Sequence, residues 1–131
     1  MLLDKIHHIA FAVHNLEDTI EFFRIFEIYP FKKVTIEDRN MKAVLFKIRN
    51  IWLEYLSPIS KESILANFLK ENGEGIHHLA FQCNKIKELA GNLPEHVLLP
   101  SRKSDVGNWS IVDIKPEFSM GVKIQMIEEH S

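Results

Sequence analysis

The stretch IHHIAFAV occupies residues 6–13, and IHHLAFQC occupies residues 76–83. Each copy carries a histidine pair at the same place, and His8 and His78 stand 70 positions apart. A second pair of segments keeps nearly the same spacing: WLEYL at 52–56 and KIQMI at 123–127 stand 71 apart. A shared offset across two separated segments points to duplication of a whole module. The period exceeds that of solenoid repeats and there are two copies, which favours a closed, pseudo-twofold object over an open array.

Working outward, each module reads as strand, helix, strand, strand, strand. Residues 5–13 alternate and are rich in Ile, Phe and Val, a strand pattern. Asn15 is placed as a helix N-cap with Asp18 three positions on. Leu16, Ile20, Phe23 and Phe26 recur at helical spacing, and Pro30 stops that helix. Strands follow at 31–36, 42–48 and 51–56, with turns at EDRN (37–40) and RN (49–50). A linker then offers Ser60 as cap, Ile64, Leu65, Phe68 and Leu69 as an apolar stripe, and Gly73 as its end. In the second module, Asn84 caps a short helix that turns Ile86, Leu89, Ala90 and Leu93 inward. HVLLP (96–100), WSIVDI (109–114) and GVKIQMI (121–127) are its remaining strands. The loop SRKSDVGN (101–108) is the least determined stretch.

Bulk composition sets the outer limits. At 131 residues the chain suits one core. Hydrophobic residues make up 46% and charged residues 26%, a globular balance. No apolar run approaches the roughly 18–20 residues of a membrane span. The N-terminus, MLLDKIHHIAF, lacks the form of a secretory signal. The single cysteine, Cys83, excludes an intramolecular disulfide, so a reducing, cytoplasmic setting is the expectation. A net charge of −2 with interspersed signs gives no footprint for nucleic acid.

Strand alternation sorts each repeated strand into two faces. Ile6, His8, Ala10 and Ala12 share one face of the first copy, and Ile76, His78, Ala80 and Gln82 share one face of the second. Small alanines beside each histidine suggest a cleft. In the last strands, Trp52, Glu54 and Leu56 share a face, as do Lys123, Gln125 and Ile127. Paired around a pseudo-twofold axis, His8, Glu54, His78 and Gln125 converge. Two imidazoles, a carboxylate and an amide oxygen suit a first-row divalent ion such as Zn, Fe, Mn, Co or Ni. The plainer reading keeps a strand histidine as a hydrogen-bonded structural group and Glu54 and Gln125 as half-exposed strand residues. His7 and His77 are assigned that structural role, and His14, His96 and His130 are read as solvated.

The segments IHHIAFAVHNLEDTIEFF, AVLFKIRNIWLEYLSPIS, GEGIHHLAF and GVKIQMI together resemble the vicinal oxygen chelate superfamily, on its methylmalonyl-CoA epimerase-like branch. The resemblance implies an α+β fold of two tandem βαβββ modules forming an open, eight-stranded barrel-like sheet, the glyoxalase fold. Residues 1–131 would be one such domain, with module one at 1–58, a linker helix at 59–74 and module two at 75–131. It carries the metal positions onto His8, Glu54, His78 and Gln125, and implies a homodimer. The implied chemistry is proton abstraction beside a metal-bound carbonyl. Two departures stand out. Gln125 replaces the glutamate usual in the last strand, while Glu54 stands where the epimerases can carry glutamine, an exchange a pseudo-symmetric site tolerates. Asp38 falls at the family's catalytic glutamate, one methylene shorter, with Glu37 adjacent. Glu54 is the second proton-transfer candidate. An acyl-CoA substrate needs cations for its phosphates: Arg102 with Lys103, Lys32 with Lys33, and Lys123 are the candidates, and no Gly-rich phosphate cradle is present. Beside the epimerase or isomerase reading stand a glyoxalase-type lyase and a non-catalytic small-molecule binder, since fold does not fix function.

Overall fold

The computed structural model describes residues 1–94 and 97–130. Its elements run β1 (Leu3–Ala12), α1 (Leu16–Arg24), β2 (Lys32–Ile36), β3 (Met41–Ile48), β4 (Ile51–Pro58), α2 (Ile64–Asn72), β5 (Gly75–Cys83), α3 (Ile86–Ala90), β6 (Arg102–Lys103), β7 (Trp109–Ile114) and β8 (Ile124–Glu129). The eight strands form one sheet in the order β2-β3-β4-β1-β5-β8-β7-β6. The expected α+β class and duplicated order are both present. Within the first repeat, β1 is followed across the sheet by β4, β3 and β2. Within the second, β5 is followed by β8, β7 and β6. Among the described residues no helix is long and apolar enough to cross a membrane.

Contacts divide the chain into two compact units, Ile9–His77 on one hand and Met1–His8 with the segment from His78 onward on the other. In the unit Ile9–His77, α1 starts where Asn15 Oδ1 accepts from the Glu17 and Asp18 backbone N–H groups at 2.8 and 3.2 Å. The helix ends at Arg24, earlier than Pro30 alone dictates, because Glu27 takes a left-handed conformation at φ 59°. Its inward stripe, Ile20 and Phe23, packs on Val44 and Phe46 of β3, with Leu16, Ile28, Leu53 and Tyr55 around them. Phe11 stacks on Tyr55 at 4.6 Å between ring centres. The β2–β3 hairpin turns through Glu37–Arg39, and Asn40 closes it at φ 55°, a conformation asparagine tolerates. Ser63, not Ser60, caps α2, accepting from Leu65 N–H at 3.2 Å. Ser60 instead donates to Glu62 in the turn before it, at 2.7 Å.

In the other unit, Cys83, Leu89, Val112 and Met126 form the core, with Ile86, Leu93, Leu98 and Ile114 against it. Asn84 does not cap α3. Glu128 of β8 does so from outside, accepting from Ile86 N–H at 2.7 Å. The expected strand 96–100 reduces to a lone bridge, Leu98 with Ile114, and His96 lies outside the described residues. The ladder partner of β7 is Arg102–Lys103, within the stretch read as loop. Pro100 lacks the N–H a longer ladder would need. β8 begins at Ile124, three residues later than expected, after Gly121 turns at φ 78°.

Cys83 is 2% exposed. Burial, and then the charge of Glu128, push its thiol pKa up. Because the thiolate is the reactive form, iodoacetamide should modify Cys83 far more slowly in the native protein than in denaturant, even at mildly alkaline pH. Equal rates in the two states, followed by mass spectrometry, would contradict the buried placement.

Candidate metal centre

The faces chosen by alternation hold. His8 is 3% exposed beside Ala10 and Ala12 at 0%, and His78 is 5% exposed beside Ala80 at 0%. Strands β5 and β8 run parallel with Ala80 opposite Gln125, so Gln125 sits beside the smallest side chain available. His8 Nε2 and His78 Nε2 face each other at 3.1 Å, with ring planes 82° apart. The His8 pKa is lowered to about 3, first by burial and then by His7, with the Gln125 side chain opposing in part. His8 is therefore neutral at ordinary pH, with one ring nitrogen carrying a lone pair. Gln125 is buried; its side chain lies against His8, but its Oε1 makes no hydrogen bond of good geometry among the described residues. Buried acceptors normally have a partner, so this oxygen calls for a positive group.

Glu54 lies in β4 opposite Leu45 and is also buried. Glu54 lies in one unit, while His8 and His78, which each offer a ring nitrogen, lie in the other. A buried carboxylate is costly to keep charged without a compensating partner. Two imidazoles, one carboxylate and one amide oxygen fit a borderline divalent ion. The donor set thus agrees with a metal site.

The remaining sequence candidates lie in different settings. Arg102 donates from Nε to Asp113 Oδ2 at 3.2 Å, and Asp113 is paired across β7 and β8 with Gln125. Lys123 is half-buried just before β8, where its carbonyl accepts from Leu79 N–H at 3.0 Å. Glu37 and Asp38 are exposed at the hairpin turn. That turn lies beyond the Met41–Pro58 pair, whereas Glu54 pairs with Leu45. Four residues of β3 separate the two pairs, about 13 Å along the strand. His77 is half-buried and meets Phe68 edge-on at 4.9 Å. His14 and His130 are exposed, and His130 Nε2 shares a hydrogen bond with Ser110 Oγ at 2.7 Å.

His7, read from the sequence as a hydrogen-bonded structural group, contacts His8, and two residues the sequence reading did not single out, Glu129 and Asp113, pair with His7 and Arg102. His7 Nδ1 meets His8 Nδ1 at 2.7 Å, His7 Nε2 meets Glu129 Oε1 at 2.7 Å, and Asp113 engages Arg102. The signal for His7 was its adjacency to His8, which alternation discounts by sending neighbours to opposite faces. Glu129 and Asp113 gave no local signal.

Comparison with known proteins agrees with the fold. A Bacillus subtilis (strain 168) protein, YqjC, is 27% identical over 130 residues, covering 96% of this chain and 93% of its own. The mitochondrial methylmalonyl-CoA epimerase of Dictyostelium discoideum is 26% identical, covering 97% of this chain and 80% of its own. The structure of Streptomyces coelicolor methylmalonyl-CoA epimerase in complex with 2-nitronate-propionyl-CoA superposes with a TM-score of 0.88 at 25% identity, covering 98% of this chain and 96% of that one. The family model of the glyoxalase/bleomycin resistance protein/dioxygenase superfamily matches residues 7–109, most of the chain. The protein is therefore a member of the glyoxalase/bleomycin resistance protein/dioxygenase superfamily.

Proposed function

We propose that this protein is a metal-dependent epimerase or isomerase that moves a proton beside a carbonyl of a small acyl compound, most simply an acyl-CoA. His8, Glu54, His78 and Gln125 would hold one divalent ion, of Co, Zn, Mn, Ni or Fe. The observation that carries the reading is the buried His8–His78 nitrogen pair at 3.1 Å beside an amide oxygen without a hydrogen bond of good geometry. The acyl-CoA part rests on relatives: one similar structure is methylmalonyl-CoA epimerase in complex with methylmalonyl-CoA and NH4+, 25% identical with a TM-score of 0.88.

When bound, the ion supplies Lewis acidity that polarises a substrate carbonyl. The chain's own residues supply the rest. His8 stays neutral, held so first by burial. Asp38, with Glu37 beside it, takes the α-proton as the C–H bond breaks. Glu54, entering the step as the carboxylic acid, gives its proton to the opposite face, which inverts the carbon and leaves Asp38 protonated and Glu54 ionised until exchange with solvent resets both. Lys123 and Arg102 are the cations assigned to the substrate's anionic groups. Because Asp38 stands along the hairpin from Glu54, its role requires the substrate to reach between them.

The test is deuterium uptake at C2 of methylmalonyl-CoA in D2O, with the protein supplied with Co(II), Mn(II), Ni(II) or Zn(II) in turn. Uptake with at least one ion is expected, and none with any ion sinks the epimerase reading. Asp38→Asn should slow the exchange about 100-fold, the lower range for loss of a general base. Glu37→Gln should change it little. Unchanged exchange in Asp38→Asn would remove the base assignment while leaving the metal site standing.

A further inference from the structure

A cavity of about 430 Å³ opens where the first turn of α1 meets β2, β3 and the end of β4. It lies wholly within the unit Ile9–His77. Its walls follow from strand pairing. Lys33 is opposite Val44 and Thr35 is opposite Lys42, so alternation puts all four side chains on one face of the β2–β3 hairpin. Val44 packs with Ile20 and Phe23, so this is the face that carries α1. Ser57, opposite Lys42, shares it. Leu45 points the other way, and so does its partner Glu54. The cavity and the candidate metal ligand of β4 thus lie on opposite faces of the same strands.

Lys33 and Lys42 are both exposed, and neither forms an ion pair among the described residues. They are diagonal neighbours across the hairpin, about 7 Å apart at Cβ, where like charges repel. Glu17 is the one carboxylate on the lining, so the lysines outnumber it. Other polar groups at the start of α1 are already committed. Asn15 Oδ1 takes the Glu17 and Asp18 N–H groups, and the Ser57 hydroxyl donates to the His14 carbonyl at 3.1 Å. Recognition of a ligand therefore falls to two ammonium groups and the Thr35 hydroxyl, with Leu16, Val44 and Pro58 supplying apolar surface beside them. We propose that this cavity binds a small phosphate monoester, its phosphate between Lys33 and Lys42 and its organic body against Leu16, Val44 and Pro58. Lysine holds phosphate as a point charge, without needing a fixed fork of donors. One phosphate dianion neutralises both ammonium groups, which a single carboxylate does not. The volume falls in the range of small-molecule sites. The site stands independently of the metal centre.

The test is a titration of the full-length 15N-labelled protein followed by NMR. It is made slightly above neutral pH, where phosphate groups are largely dianions, and at constant ionic strength, because salt screens exposed charges. Inorganic phosphate and phenyl phosphate are the probes, and sodium chloride is the control. Both probes should give saturable shifts confined to the surroundings of Lys33, Thr35, Lys42 and Ser57, and chloride should give none. Phenyl phosphate should bind about tenfold more tightly, since its ring covers apolar surface. Replacing both lysines, Lys33→Ala with Lys42→Ala, should weaken it about tenfold or more, and Lys33→Arg with Lys42→Arg should restore most of the affinity. Both positions are exposed, so the variants should fold, and the unfolding midpoint checks this. Shifts that never saturate, shifts centred elsewhere, or an affinity unchanged in the double alanine variant would overturn the site. Equal affinity for the two probes would remove the organic body and, with it, the monoester.

Discussion

Replacing either His8 or His78 by alanine is expected to strip the protein of its divalent ion and to reduce proton exchange at least ~1,000-fold. The magnitude follows from the Lewis-acid contribution of such an ion, several kcal/mol of barrier, at about 1.4 kcal/mol per tenfold in rate. The two substitutions should be equally damaging, because the two Nε2 atoms face each other symmetrically at 3.1 Å. The fold should tolerate both. His8 stands beside the fully buried Ala10 and Ala12, and His78 beside the fully buried Ala80, so a small side chain at either position has neighbours of its own size. The check is metal content per chain by mass spectrometry, beside the circular dichroism spectrum. One equivalent retained in either variant would place the ion elsewhere. Loss in both, with a native spectrum, is the expected result.

The second large effect concerns stability. Phe46→Ala should destabilise the protein by about 3–5 kcal/mol, the usual range for removing a core phenylalanine. Phe46 is 0% exposed on β3 and lies 4.6 Å from the Phe23 ring and 6.0 Å from Tyr55. Its ring joins α1 to the sheet, so deletion leaves a cavity between helix and sheet among Ile20, Phe23 and Val44. A typical domain has only about 5–15 kcal/mol in total, so the variant would be marginal. Phe46→Leu keeps most of the volume and should lose much less. Urea unfolding read by tryptophan fluorescence would decide. A midpoint for Phe46→Ala close to that of wild type would show that this cluster is not what holds α1 in place.

Much of this architecture is legible in the chain because the duplication writes it twice. The strand IHHIAFAV can be read against IHHLAFQC, and alternation then assigns His8 and His78 to the face lined by Ala10, Ala12 and Ala80. Elements with their own periodicity, such as β3, β4 and β7, fall within a residue or two of expectation. The misreadings are of one kind. Ser60, Asn84 and Pro30 are each credible local signals, and each yields to a neighbour in space or to a backbone turn. Ser63 caps α2, Glu128 caps α3, and Glu27 bends away before Pro30. The same holds at the centre. The ligand positions are spaced in sequence by the repeat, but the partners of those ligands are not. Glu129 lies 122 positions from His7, a separation that no window of sequence can bridge.

The Glu128 cap on α3 bears on the order in which this chain acquires structure. Five residues are too few for a helix to persist unaided, since nucleation costs more than one turn of hydrogen bonds returns. Helix α3 therefore waits for β8, which also delivers Glu129 to His7 one residue further on. Two consecutive acidic residues on one strand thus serve two separate partners, the start of a helix and the imidazole of His7. Both depend on contacts far apart in the chain, the kind that form slowly. A partly folded form lacking β8 would hold its first hairpins while α3 went without its cap and His7 without its carboxylate. In such a chain the last strand to dock completes both contacts.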